Sequence, residues 1–161
     1  MSQPIDYHCR PFRPCVGIML INSVNQIFVG QRLDNHGDAW QMPQGGIDHG
    51  ETPLEAGLRE MHEEIGTNKA QLLREHPEWL SYSIPEGLAN QLWGGKYRGQ
   101  TQKWLAFRFT GDNADINIDT QHPEFRQWRW SSVTSLHQLA VPFKRQVYGK
   151  IIEDFRDIFE I

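Results

Sequence analysis

The sequence lacks the features that mark disulfide-rich, zinc-binding or membrane-spanning proteins. Its 161 residues include two cysteines, Cys9 and Cys15, which are too few for a disulfide framework and lack the partner ligands of a zinc site. The longest apolar run, residues 16–21, is far too short to cross a bilayer, and no apolar segment typical of a signal peptide follows the first residues. We therefore expect reduced thiols, a cytoplasmic location and no membrane partner.

The sequence also lacks a basic excess. Sixteen Lys and Arg residues against twenty Asp and Glu residues give a net charge of −4. Proteins that coat DNA or long RNA depend on phosphate neutralisation by cations, so the charge argues against DNA as a partner. One nucleotide or one RNA end needs only a few local cations. The length suits a single domain over residues 1–161, with residues 1–12 as an N-terminal arm, and we expect a monomer.

The pattern along the chain predicts short strands separated by two helical segments. Residues 40–46 contain Pro43 and a glycine pair, which predict a sharp turn, and residues 144–159 have apolar positions at helical spacing. The order of strands, helix, strands, helix predicts an α/β fold with a mixed sheet and helices on its faces. The predicted strands cover residues 16–22, 26–32, 71–75, 79–84, 102–109 and 125–130.

The first helix has clear start and stop signals. Thr52 is a good N-cap, Pro53 suits the first helical position, and Glu55 completes a capping box. Gly66 is a natural residue to end a helix. These signals predict a helix over Pro53–Ile65.

The same helix carries three carboxylates on one face. Glu60, Glu63 and Glu64 lie at spacings of three and four, where like charges repel by about 0.2–0.5 kcal/mol per pair on an exposed helix. One explanation is a solvated acidic face. The other is a bound divalent cation, which requires clustered oxygen ligands. Oxygen ligands alone favour Mg²⁺ or Mn²⁺ over zinc.

The spacing of fixed residue types over residues 45–67 resembles the Nudix box. The resemblance implies a Nudix fold, an α/β/α sandwich around a mixed sheet, and glutamates that bind Mg²⁺ or Mn²⁺ as more than one ion, with no organic cofactor. It further implies that Arg59 orients a box carboxylate and that the glycine pair lets the backbone approach the metal site. The matching residues are Gly45, Gly46, Glu51, Arg59, Glu60, Glu63, Glu64 and Gly66.

Segments outside the box are similar to one Nudix subgroup, the RNA pyrophosphohydrolases and dinucleoside polyphosphate hydrolases. These segments include WQMPQGGID, WGGKYRGQTQKW, PEFRQWRW and PFKRQVY. The resemblance implies a fourth metal ligand at Glu124, an aromatic that stacks on a base at Phe143 and a nucleotide contact at Tyr82. Surface exposure or core packing are the alternatives at these positions. The basic residues that the resemblance assigns to phosphates are Arg13, Arg32, Lys103 and Lys144.

The function implied by the resemblance is hydrolysis of a phosphoanhydride bond in a nucleotide-capped substrate. One substrate is the 5′ end of triphosphorylated RNA, which loses pyrophosphate and keeps a monophosphate, so that RNA decay is promoted. The alternative substrate is diadenosine tetraphosphate. A different class of function is a catalytically silent nucleotide-binding module. Polyphosphate chemistry also needs a carboxylate to accept a proton, and Glu63, Glu64 and Glu124 are all candidates.

Overall fold

The fold is built around one six-stranded sheet. The structure is a computed structural model that describes residues 5–34 and 37–159. The strands are β1 (Phe12–Ile21), β2 (Gln26–Arg32), β3 (Gln44–Gly46), β4 (Ala70–Ser83), β5 (Gly99–Phe109) and β6 (Phe125–Ser132).

The sheet is mixed, as the sequence predicts. Its strand order is β4-β5-β1-β2-β6, and the short β3 pairs with β1. Strands β1 and β5 run parallel over their whole length, from the Phe12–Gly99 pair to the Ile21–Arg108 pair. The other pairings are antiparallel. The parallel pair lies at the centre of the sheet, where apolar side chains cover both faces.

Helices cover the two faces. They are α1 (Pro53–Ile65), α2 (Glu86–Ala89), α3 (Leu136–Leu139) and α4 (Arg145–Asp154). Alternate residues of β1 point to opposite sides, so Ile18 belongs to a core with α1 and Met19 to a core with α3 and α4. This arrangement is the predicted α/β/α sandwich.

The predicted bounds of α1 are confirmed. The Thr52 hydroxyl accepts a hydrogen bond from the Glu55 amide at 3.2 Å, and the Glu55 carboxylate accepts one from the Thr52 amide at 3.2 Å. Gly66 ends the helix in the left-handed region, with φ of 77°. Local side-chain chemistry therefore fixes both ends of the helix that carries the acidic face.

Other boundaries differ from the sequence prediction, including the start of β5 at Gly99 and the end of β6 at Ser132. The arm is shorter than residues 1–12, because Phe12 pairs with Gly99 and already belongs to β1. The two strands predicted around Pro77 are one strand, β4. Its pairing register with β5 shifts between Leu72 and Arg74 and again between Glu75 and Trp79. The predicted turn at residues 40–46 is largely extended and ends in β3. The last helix is α4 flanked by 3₁₀ turns at Pro142–Lys144 and Arg156–Phe159.

Among the described residues, no helix combines the length and the apolar character that crossing a membrane requires.

Candidate active site

Four predicted metal-binding glutamates line one cavity. Glu60, Glu63 and Glu64 come from the second half of α1, and Glu124 comes from the residue before β6. The cavity has a volume of about 380 Å³ and is completed by His62, Gly66 and residues 120–122. The sheet brings Glu124 to the helix although sixty residues separate it from Glu64 in the sequence.

Glu64 is the most deeply placed of the four carboxylates. Its residue is 7% exposed, and its Oε2 atom has no hydrogen-bond partner among the described residues. Burial, followed by the charges of Glu60 and Glu124, raises the pKa of Glu64 well above its usual value. A buried carboxylate without a donor is costly. A divalent cation would supply the missing charge, so the chemistry of the lining carboxylates suits such an ion.

Glu60 lies beside Glu64 and is also partly withdrawn from water. Burial raises its pKa, and hydrogen bonding to Arg59 opposes that rise. Gly45 makes this position possible, because a Cβ atom added there would lie 2.1 Å from the Glu60 carboxyl carbon. Any side chain at residue 45 would have to displace the carboxylate. The structure therefore gives a steric reason for one of the predicted box glycines.

Arg59 holds the loop and the helix together. Its guanidinium donates two hydrogen bonds to Glu51, at 2.7 and 2.9 Å, and one to the Gly46 carbonyl at 2.9 Å. It also contacts Glu60 at 2.8 Å and Glu63 at 3.2 Å. The hydrogen bonds from Arg59 lower the pKa of Glu51 to about 2. The predicted orienting partner of Arg59 is therefore Glu51 foremost.

The contacts of Arg59 also determine how the glutamates are arranged. Within residues 5–34 and 37–159, no group of three or more His, Cys, Asp or Glu side chains is gathered closely enough to hold an ion. Arg59 draws Glu60 and Glu63 towards itself. The ligand roles of Glu60, Glu63, Glu64 and Glu124 stay predictions.

Arg32 reaches the same region from the end of β2. Its guanidinium makes two hydrogen bonds to Asp34, both at 2.8 Å, and lies 3.8 Å from Glu124. Asp34 is exposed, so this ion pair stands at the rim of the site. No sequence pattern predicted that Asp34 would pair with the proposed phosphate-binding residue Arg32.

Lys144 forms hydrogen bonds to amide oxygens and no ion pair among the described residues. The residue is 6% exposed, and its Nζ donates to the side-chain oxygens of Gln41 at 3.2 Å and Gln44 at 3.3 Å. Burial, followed by repulsion from Arg32, lowers the pKa of Lys144 to about 7. The charges of Glu64 and Asp34 oppose this lowering only in part, so the buried ammonium would gain from a bound anion.

Sequence reasoning missed the amide network that supports Lys144. The Gln100 oxygen accepts from the Tyr82 hydroxyl at 2.6 Å, from Gln44 at 2.9 Å and from Gln102 at 3.2 Å. Gln102 in turn accepts from the Trp104 indole at 3.1 Å. The available signal was polar residues at alternate positions of a buried strand, which place Gln100, Gln102 and Trp104 on one face of β5.

The remaining predicted substrate contacts fall into two groups. Tyr82 and Phe143 stack on each other, with ring centroids 5.9 Å apart, beside the amide network. Arg13 lies next to Gly46, where an added Cβ would be 2.3 Å from the guanidinium. Lys103 instead lies over the Trp79 ring at 6.0 Å and has no contact with the acidic cavity among the described residues. The substrate roles of these residues stay predictions.

Comparisons with known proteins agree with this architecture. A model of the NUDIX domain matches residues 11–155. An RNA pyrophosphohydrolase of Rhodospirillum rubrum is 58% identical over 151 residues, covering 94% of this chain and 91% of that protein. An RNA pyrophosphohydrolase of Rickettsia typhi is 51% identical over 150 residues, covering 93% of each.

Solved structures show the same fold at low identity. A dihydroneopterin triphosphate pyrophosphohydrolase of E. coli has a TM-score of 0.66 at 17% identity, covering 90% of this chain and 99% of that one. An Ap4A hydrolase of C. elegans has a TM-score of 0.62 at 17% identity, covering 92% and 98%. The predicted Nudix fold is confirmed, and with the domain match and the curated relatives the conclusion is that this chain belongs to the Nudix hydrolase family.

Proposed function

We propose that the protein hydrolyses the 5′ end of triphosphorylated RNA, releasing pyrophosphate and leaving a 5′-monophosphate. The proposal about the chemistry depends on one observation, the buried Glu64 carboxylate, whose Oε2 atom has no hydrogen-bond partner among the described residues, in a cavity lined also by Glu60, Glu63 and Glu124. The proposal about the substrate is supported by the two relatives named RNA pyrophosphohydrolase, which match over nine-tenths of the chain.

Glu60, Glu63, Glu64 and Glu124 are proposed to hold Mg²⁺ or Mn²⁺. Four carboxylates offer enough oxygen atoms for more than one ion. When bound, a divalent cation neutralises phosphate oxygens and acidifies the attacking water. Arg59 keeps the acidic helix fixed against the loop through Glu51 and the Gly46 carbonyl.

The cationic and aromatic side chains are proposed to position the substrate. Arg32 supplies positive charge beside Glu124, Lys144 supplies it beside Gln41 and Gln44, and Arg13 supplies it beside Gly46. Phe143, already stacked on Tyr82, offers a face for a base. One of Glu63, Glu64 or Glu124 accepts the proton of the attacking water. Lys103 joins these contacts only if its side chain leaves the Trp79 ring.

An RNA substrate also implies a cytoplasmic, reducing location. Cys9 and Cys15 are both free thiols in the structure, as expected in such a compartment.

A product assay tests the proposed function. Triphosphorylated RNA and diadenosine tetraphosphate are supplied separately with Mg²⁺, and turnover per enzyme is compared. Release of pyrophosphate and 5′-monophosphorylated RNA at the higher kcat/KM is the expected result. Preferential cleavage of diadenosine tetraphosphate would favour the alternative substrate. Tight nucleotide binding without any product, with several divalent metals, would indicate a catalytically silent module.

A further inference from the structure

A second group of cations lies outside the site described above. Arg10 and Arg98 surround Tyr7, with guanidinium carbons 5.8 and 5.7 Å from its ring centroid, and Arg98 also lies 5.1 Å from the Phe12 ring. We call Tyr7, Arg10, Phe12 and Arg98 the N-terminal arginine cluster. A backbone hydrogen bond holds the two segments of the cluster together, because the Arg98 amide donates to the Pro11 carbonyl at 3.1 Å.

The charges of this cluster are not balanced within the described chain. Arg10 is 6% exposed and donates only to neutral acceptors, the Ile5 carbonyl at 3.0 Å and the Asn90 amide oxygen at 2.7 Å. Its Nη1 atom and the Nε atom of Arg98 are buried without a hydrogen-bond partner among the described residues. Neither guanidinium forms an ion pair there, in contrast to Arg32, Arg59, Arg74 and Arg156.

A cavity adjoins the cluster. It has a volume of about 430 Å³ and is lined by Arg10, Tyr7, Asn90 and the Gly94–Gly95 pair, among others. Asp6 and Glu86 also line it, but neither carboxylate lies within ion-pair distance of Arg10 or Arg98. Removing guanidinium charges from water without a counter-charge is unfavourable. An anionic ligand would therefore gain more here than at a solvated arginine.

The cluster is continuous with the proposed active site. Arg13 lies beside Gly46 of the box and at the same time over the Trp93 ring, 5.2 Å from its centroid. Trp93 immediately precedes the glycine pair of the second cavity. Trp93 therefore links Arg13 to the cavity that Arg10 lines.

We propose that the N-terminal arginine cluster binds the RNA chain downstream of the 5′ end, with backbone phosphates at its guanidinium groups. This inference rests on the proposed function. Phosphates supply the missing negative charge. Such binding is independent of base sequence, because the backbone phosphates are the same at every nucleotide.

The test compares a short and a long substrate. Triphosphorylated dinucleotide and a triphosphorylated, unpaired RNA of about eight nucleotides are hydrolysed by wild type, Arg98→Gln and the control Arg156→Gln, which removes an exposed arginine in the last 3₁₀ turn. We expect Arg98→Gln to raise KM for the long RNA by roughly five- to tenfold. Turnover of the dinucleotide stays unchanged, and the control matches wild type on both substrates.

A binding measurement separates this inference from the proposed function. Fluorescence anisotropy with a labelled 5′-monophosphorylated RNA, in the absence of divalent ions, requires no catalysis. Wild-type affinity should fall with salt more steeply for the long than for the short RNA, by about 0.7 in the logarithmic slope per phosphate contacted. This comparison needs no variant, so it decides the question even if Arg98→Gln fails to fold. Equal slopes, or an equal loss by Arg98→Gln on both lengths, would overturn the inference. Hydrolysis of neither RNA would overturn the proposed function instead.

Discussion

Arg59 and Lys144 are two cations near the same site with opposite surroundings. Three carboxylates, from Glu51, Glu60 and Glu63, lie within 3.2 Å of the Arg59 guanidinium. Within the described part of the chain, the Lys144 ammonium donates hydrogen bonds only to the amide oxygens of Gln41 and Gln44. Hydrogen bonding to Glu51 raises the pKa of Arg59, whereas burial lowers the pKa of Lys144 to about 7.

The difference separates a structural cation from one that is available to a ligand. The charge of Arg59 is already neutralised, and its fork of donors fixes two segments of backbone. Lys144 retains most of the free-energy cost of burying its charge. Binding of a phosphate would relieve that cost. The acidic cavity shows the same situation with the opposite charge. The Glu64 Oε2 atom has no hydrogen-bond partner among the described residues and is available to a cation. Four substitutions test this contrast, in decreasing order of expected effect.

The largest effect is expected from Glu64→Gln. The neutral amide leaves too little charge for a divalent cation, so turnover should fall by roughly 10²–10⁴-fold. With a metal chelator present, the variant should melt at a higher temperature than wild type, because a buried unpaired charge is removed. Steady-state kinetics and thermal unfolding give both values.

The matched control for that substitution is Glu75→Gln on the exposed side of β4. It changes the net charge equally and should alter neither property. Unchanged turnover in Glu64→Gln with Mg²⁺ present would show that the acidic cavity is not catalytic.

The second substitution, Arg59→Lys, keeps the positive charge but removes the planar set of guanidinium N–H donors. One ammonium group cannot bind Glu51 twice and also reach the Gly46 carbonyl and Glu63. Metal affinity or turnover should fall by roughly 10–100-fold, as is typical when a group that orients ligands is lost. The Mg²⁺ concentration for half-maximal activity measures this. A normal Mg²⁺ dependence in Arg59→Lys would mean that its positive charge alone suffices.

The third substitution, Lys144→Met, tests the pKa of the buried amine. Its folded-state pKa of about 7 lies below the ordinary 10.5, so between these values the unfolded state binds more protons and stability rises with pH. From pH 7 to about 9 this group should add on the order of 1–2 kcal/mol to the free energy of unfolding.

Urea unfolding at several pH values measures that increase. Lys144→Met should lose it and should be more stable than wild type at pH 7, whereas Lys150→Met, on the exposed side of α4, should keep it. A wild type whose stability is flat over this range would contradict a lowered pKa.

The smallest effect is expected from Asp34→Asn. Arg32 is intermediate between Arg59 and Lys144, since it has one close carboxylate partner at the surface. Without that partner Arg32 is free to bind phosphate, so Asp34→Asn should lower KM for the triphosphate substrate by about two- to threefold. The free energy of unfolding should change by less than about 1 kcal/mol. An increase in KM would show that Asp34 instead holds Arg32 in its binding position.

Local signals predicted the acidic helix well and non-local pairing poorly. Thr52, Pro53 and Gly66 fix α1 through contacts within a few residues, so its bounds could be read directly. The start of β1 at Phe12 depends on pairing with Gly99, which no local pattern indicates. Pro77 interrupts the alternation of β4, and the sequence therefore indicated two strands where the structure has one irregular strand.

In the candidate site, too, local spacing was predictable from the sequence and long-range contacts were not. The carboxylates of α1 were predictable because a helix places spacings of three and four on one face. Glu124 was assigned only through the family resemblance, and the structure brings it to the same cavity. The amide network around Lys144 joins residues up to 103 positions apart. Its members are glutamines without a motif, so only the folded chain shows them together.

Mn²⁺ binding is the most direct measurement of the central interpretation, because it requires no substrate. Electron paramagnetic resonance can count the ions that wild type and Glu64→Gln remove from solution at pH 7. We predict that wild type binds at least one ion and that Glu64→Gln loses this binding while Glu75→Gln retains it. Equal binding by all three proteins would contradict a cation site at the buried carboxylate.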